Sequence, residues 1–203
     1  MTAARTCLMI ALFAIPLATG LSAPAAAQNQ PDSESFLEAI EEQRNNEVVD
    51  LVAKKGRAII NVRGYSGATP LNVAMRKRAS LYVNYLLQNG ADPNFTDRSG
   101  DTALMIAARS GYSEGLAAML GARATVDATN RQGETALIIA VQNHHVQAVK
   151  RLLEAGADPA RTDSSSGLSA REYAARDRRS NEILKLIDTV KKKPVFVAGP
   201  VIR

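Results

Sequence analysis

A 33-residue period governs the middle of this chain: Gly67, Gly100 and Gly133 stand 33 positions apart, and Gly167 follows after 34. The same offsets carry Gly67-Ala68-Thr69-Pro70-Leu71, Gly100-Asp101-Thr102-Ala103-Leu104 and Gly133-Glu134-Thr135-Ala136-Leu137. An alanine recurs at Ala74, Ala107, Ala140 and Ala174. A bulky apolar pair closes each unit at Leu86-Leu87, Met119-Leu120, Leu152-Leu153 and Leu186-Ile187. A repeat of this length is one supersecondary unit that cannot bury its apolar face alone, so the units must stack.

Each unit reads as turn, helix, turn, helix. The leading glycine suits a positive φ in a tight turn. Thr69, Thr102 and Thr135 are placed as N-caps, and Pro70 then falls at the first helical position, where its missing N–H costs nothing. The second helix repeats apolar residues at i, i+3 and i+4, as in Val83, Leu86, Leu87 and Val149, Leu152, Leu153. Gly90 and Gly156 stand where a left-handed C-cap is expected, and Asp92-Pro93 and Asp158-Pro159 then stop the helix.

This pattern resembles the ankyrin repeat family, on Thr69-Pro70-Leu71, on Leu86-Leu87-Gln88-Asn89-Gly90-Ala91-Asp92-Pro93-Asn94 and on Leu152-Leu153-Glu154-Ala155-Gly156-Ala157-Asp158-Pro159. The resemblance covers residues 34–190 and implies an all-α solenoid of stacked helix-turn-helix units with short turn or hairpin loops. Two departures stand out. The histidine usual after Thr-Pro-Leu is Asn72, Met105 and Ile138 here, so its hydrogen bonds are expected to be lost. Arg123 occupies the place of Gly90 and Gly156, which predicts a reshaped connection.

The expected organisation is a signal peptide at 1–27, a linker at 28–34, a degenerate N-terminal capping repeat at 35–66, repeats at 67–99, 100–132 and 133–166, a C-terminal capping repeat at 167–190 and a basic, apolar tail at 191–203. Ser35-Phe36-Leu37-Glu38 and Ser169-Ala170-Arg171-Glu172 both match a capping box. Ser180 is placed to cap the last helix, which bears Ile183, Leu184, Ile187 and Val190.

The leader argues for export. Arg5 precedes an apolar run from Cys7 to Ala18, and Ala25-Ala26-Ala27 offers small residues at a cleavage site. Pro16, Thr19, Gly20 and Ser22 interrupt the run too early for the roughly 20 apolar residues of a membrane span. Cys7 is the single cysteine, so cleavage after Ala27 leaves no thiol for a disulfide, a metal site or a nucleophile. The alanine-rich leader looks bacterial, and the periplasm is the expected destination.

Charge is uneven. Residues 32–50 hold seven acids and one base, whereas 171–193 hold eight bases and four acids. An acidic head and a basic end allow end-to-end stacking or two solvated cap surfaces. Catalytic constellations are poor. His144 and His145 are the only histidines, and neighbours on a predicted helix diverge by about 100°, so they cannot chelate one metal together. No phosphate-binding loop, dinucleotide fingerprint or nucleophile elbow occurs, and no cofactor, metal site or enzymatic activity is expected.

The family resemblance implies a protein partner, bound through turn tips and the exposed side of the first helix. Carried over residue by residue, the tips include Tyr65, Arg98, Asp101, Arg131 and Leu168. The helix positions are Arg76 and Lys77, Arg109, Gln142 and Asn143, and Arg176. Nine residues after each glycine stand Arg76, Arg109, Gln142 and Arg176, a partly basic ladder suited to an acidic protein surface. The duller account is a cation completing a helix C-terminus. Tyr112 is expected on the same side as an aromatic anchor. Periplasmic ankyrin-like proteins similar to this one include some tied to catalase and peroxide defence. The rival reading is a basic face for nucleic acid or an anionic surface, opposed by the secretory signal and by few aromatics. The leader makes a direct prediction: N-terminal sequencing of the protein purified from cells returns Gln28 first, and a chain still beginning at Met1 removes the export reading.

Overall fold

The computed structural model describes residues 32–190. Among them are ten α-helices and no strand beyond an isolated bridge between Thr162 and Ser169. The helices alternate between two layers. One layer holds the first helix of each unit: α1 (Asp32–Glu41), α3 (Pro70–Arg76), α5 (Ala103–Ser110), α7 (Ala136–Gln142) and α9 (Ala170–Arg176). The second helices are α2 (Asn45–Lys55), α4 (Ser80–Gln88), α6 (Ser113–Gly121), α8 (Val146–Glu154) and α10 (Asn181–Val190). Along the stack α1 packs on α3, α3 on α5, α5 on α7 and α7 on α9; α4, α6, α8 and α10 follow one another in the same way. The expected signal peptide and tail lie outside the described residues.

Local chemistry sets the helix starts. The Thr69, Thr102 and Thr135 hydroxyls accept from the N–H of Asn72, Met105 and Ile138 at 3.2, 3.3 and 3.3 Å. Each such cap contributes about 1 kcal/mol. Ser169 and Glu172 form the expected capping box. The recurring alanines explain the close layer spacing: Ala74, Ala107 and Ala140 are fully buried and Ala174 is 1% exposed. Longer side chains there would overpack by about 1–3 kcal/mol. The glycine period has a steric cause as well as a dihedral one. Gly100 has φ +82° and a Cβ on it would lie 3.0 Å from the Arg131 nitrogen, while one on Gly133 (φ +75°) would lie 2.6 Å from the Ser164 nitrogen. Neighbouring tips approach too closely for any side chain.

Several expectations are corrected. Helix α1 begins at Asp32, inside the segment read as linker, so Ser35 lies within the first turn and forms no capping box. Ser180 does not cap α10; it closes a 3-10 turn (Arg178–Ser180) whose cap is Asp177, and it is 1% exposed. His144 and His145 lie at the between-helix turn where the repeat pattern places them, not within a helix as their adjacency also suggests. They form the turn between α7 and α8, with His144 at φ 57° and His145 as the residue before α8.

The connection at Arg123 is not reshaped. The Ala124 N–H donates to the Met119 carbonyl at 3.0 Å, as Ala91 does to Leu86 at 2.9 Å and Ala157 to Leu152 at 3.0 Å. Arg123 holds the left-handed conformation of its glycine counterparts, at φ 58°. Packing of the repeat forces a conformation that this residue disfavours by about 1 kcal/mol. Replacement Arg123→Gly is therefore expected to stabilise the fold by about 0.5–1 kcal/mol, read as a rise in thermal midpoint.

Candidate functional site

The tips are built on a buried side chain that recurs every 33 residues: Asp97, Asn130 and Asp163, exposed by 6, 8 and 4%. Each Oδ1 accepts backbone N–H groups from across its own turn. Asp97 takes those of Ser99 and Asp101 at 2.9 and 3.0 Å. Asn130 takes Gln132 and Glu134 at 3.0 and 2.9 Å, and Asp163 takes Ser166 and Gly167 at 2.6 and 3.0 Å. A short polar side chain that bonds its own backbone two residues on is what fixes such turns. The 33-residue recurrence of Asp or Asn at 97, 130 and 163 is the sequence signal for these turns, three residues before Gly100 and Gly133 and four before Gly167.

The tips are also tied to one another. The Arg98 guanidinium donates to the Tyr65 carbonyl at 2.8 Å, the Arg131 N–H to the Ser99 carbonyl at 3.1 Å, and the Ser164 N–H to the Gln132 carbonyl at 2.8 Å. The Tyr65 N–H donates to the Glu34 carboxylate. Tyr65, Arg98 and Arg131 therefore form one row in identical register, 33 residues apart. Tyr65 is 75% exposed, and both arginines project to solvent. Asp101 and Leu168, expected at tips, are buried at 8 and 9% and present no contact surface.

The arginine ladder is only half free. Arg76 pairs with the buried Asp97 carboxylate, and Arg109 pairs with Asp101 at 2.8 Å. Asp101 also accepts from Asn130 Nδ2 at 2.9 Å, and its carbonyl accepts from Asn72 Nδ2 at 3.1 Å. Asn72 thus keeps an inter-repeat hydrogen bond from the position where its loss was expected; Met105 and Ile138 have no polar group to do so. Arg76 and Arg109 line a cleft of about 290 Å³ with Asp101, Ile106 and Ser110. Two arginines facing two buried carboxylates leave little net charge there. Lys77 is paired with Glu41 at 2.9 Å, and Asn143 bonds the Ile139 carbonyl of its own helix at 2.8 Å. Gln142 and Arg176 are exposed at the ends of α7 and α9. Tyr112 is corrected outright: it is 6% exposed, and its hydroxyl shares a 2.6 Å hydrogen bond with Ser80 Oγ, so it joins α4 to α6 rather than facing a partner.

His144 bridges the last two units, with Nδ1 at 3.1 Å from Ser180 Oγ and Nε2 at 3.2 Å from Asp177. Serine, histidine and aspartate in contact invite a hydrolytic reading. Ser180 is 1% exposed, and the trio ties the last two units together. Among the described residues no group of three or more His, Cys, Asp or Glu is arranged to hold a metal ion.

The family profile described as ankyrin repeats (3 copies) matches residues 79–163 and 104–192, together more than half of the 203-residue chain. No curated protein matches it.

The final tip carries a pH dependence. Burial pushes the Asp163 carboxyl up, but hydrogen bonds from the Tyr173 hydroxyl and the N–H groups of Ser166, Gly167 and Leu168 outweigh that and hold it below its ordinary value. A carboxyl depressed in the folded state contributes stability that is present above its unfolded pKa, near 4, and is lost as pH falls through the folded value. Asp163→Asn keeps an accepting oxygen, as Asn130 does naturally. We expect a cost of about 1–2 kcal/mol at pH 7 and a shallower loss of stability below about pH 4 than in the parent, measured by urea unfolding across pH.

Proposed function

The chain belongs to the ankyrin repeat family, and from that premise we propose that it is a non-catalytic protein-binding module exported to the bacterial periplasm. Ankyrin repeats generally mediate protein–protein interaction. The observation that carries the reading here is the tethered tip row. Tyr65, Arg98 and Arg131 are held by hydrogen bonds between successive repeats before any partner arrives. Binding then costs little ordering of the backbone. An aromatic followed by two arginines supplies the residue types that dominate protein interfaces, and the arginines select an acidic partner surface.

Exposed Gln142 and Arg176 extend the surface along the first-helix layer. Arg76, Arg109 and Lys77 take a lesser part, because each already has an acidic neighbour. That pairing also weakens the rival reading of a basic face for nucleic acid or an anionic surface, which needs unpaired cations along one side. The leader supports export, and among the described residues no helix is long and apolar enough to cross a membrane. Resemblance to periplasmic ankyrin-like proteins tied to catalase makes a peroxide-defence protein the first partner to test.

Crosslinking the tagged protein in its native envelope identifies what it holds. The triple variant Tyr65→Ala, Arg98→Glu, Arg131→Glu is expected to reduce the yield of that partner at least about 10-fold, equivalent to about 1.4 kcal/mol. Arg76→Glu is expected to act chiefly on stability. Undiminished yield from the triple variant at unchanged folding sinks the tip-row surface.

A further inference from the structure

Three large apolar side chains are more than half exposed among the described residues: Val49 at 51%, Tyr65 at 75% and Leu81 at 68%. Tyr65 belongs to the tip row. Val49 and Leu81 lie on the second-helix layer, where they line one groove of about 240 Å³ with Asn45, Val48, Tyr82 and Tyr85. The repeat does not call for leucine at this place: 33 and 66 residues further on, it holds Glu114 and Gln147. The groove is firmly built, since Tyr82 is 5% exposed and its hydroxyl donates to Asn45 Oδ1, joining α4 to α2. Its volume lies below the roughly 300–1,000 Å³ of small-molecule sites and fits one or two anchoring side chains of a peptide.

The neighbourhood is acidic. At the start of α2, Glu38, Glu42 and Glu47 share a single base, Arg44, and Asp50 follows, whereas Asp32 and Glu41 are already paired with Lys55 and Lys77 and the far end of α2 carries Lys54 and Lys55. Glu47 and Asp50 stand on α2 beside Val48 and Val49. A fitting occupant therefore carries an apolar anchor next to a run of cations. The chain itself contains such a segment in Lys191-Lys192-Lys193-Pro194-Val195-Phe196-Val197, with three lysines, four apolar residues and no acid.

We propose that the groove between α2 and α4 binds residues 191–197 of a second copy of this chain, with Phe196 as the anchor and the three lysines against the acidic end. Reach excludes the same molecule. Helix α10 is separated from α4 by the successive packings α10 on α8, α8 on α6 and α6 on α4. At about 8–10 Å per packed pair these span roughly 25–30 Å. The six residues from Val190 to Phe196, fully extended, cover about 20 Å. A groove at one end of the stack and its ligand at the other make a heterologous contact, so copies add head to tail instead of closing into a twofold pair. One peptide segment buries little area, and the association is weak, with a dissociation constant above about 10 µM, weakening further as salt screens the lysines. The tip row takes no part, so this contact and the partner surface proposed above fail or survive separately.

Sedimentation velocity of the full chain at rising concentration, up to about 1 mM, is expected to show growing species beyond the monomer. Leu81→Asp, at a side chain 68% exposed, and Phe196→Asp should each return it to monomer with unchanged thermal midpoint. Mixing Leu81→Asp with a chain lacking residues 194–203 is the decisive arm. One variant keeps the tail and the other keeps the groove, so the pair should form a one-to-one complex that neither forms alone and that stops at two copies. A full chain that stays monomeric throughout overturns the proposal, as does association that survives Phe196→Asp, or a mixture of the two variants that remains monomeric.

Discussion

Helices of seven to eleven residues do not persist in water by themselves, because the nucleation penalty outweighs the few hydrogen bonds gained. Every helix between Asp32 and Val190 falls in that range. Each exists because the layer above and the layer below bury its apolar side. Alanines at 74, 107, 140 and 174 let the first helices approach, while Leu86, Met119 and Leu152, all fully buried, fill the space beneath the second helices. Stability in such a stack is a sum of neighbour terms, and a defect in one unit is felt most by the two beside it.

That dependence explains the conformations individual residues are made to accept. Arg78, Arg123 and His144 all hold positive φ at turns where other units have glycine or where glycine would be easier. Strain at one turn is tolerated because packing on both sides over-determines the backbone. His144 turns its awkward position to use, linking its own unit to Asp177 and Ser180 of the next.

Polar groups follow a matching logic. Asp97, Asn130 and Asp163 are buried, yet each is surrounded by backbone donors and satisfies them. The result is a rigid tip with its outward residues free to vary. What varies between units faces outward: Tyr65, Arg98 and Arg131 stand at one tip position, and the place of Leu81 holds Glu114 and Gln147 further along.

The 33-residue spacing, the Thr caps, the helix-stopping Asp-Pro pairs and the family resemblance were legible in the sequence because each rests on local chemistry repeated in register. Which cations stay free was not legible. Arg76 and Arg109 look like a basic ladder in one dimension; only folding brings Asp97 and Asp101 under them, across 21 and 8 residues of chain. Tyr112 reads as an exposed aromatic until its ring packs over Gly115 and its hydroxyl meets Ser80, 32 residues away. Arg123 reads as a broken turn, yet neighbouring units impose the glycine geometry on it. The sequence by itself determined the repeat, because period and capping act within a few residues. The tertiary structure decided which side chains stay exposed, because pairing and burial depend on contacts that the linear order does not show.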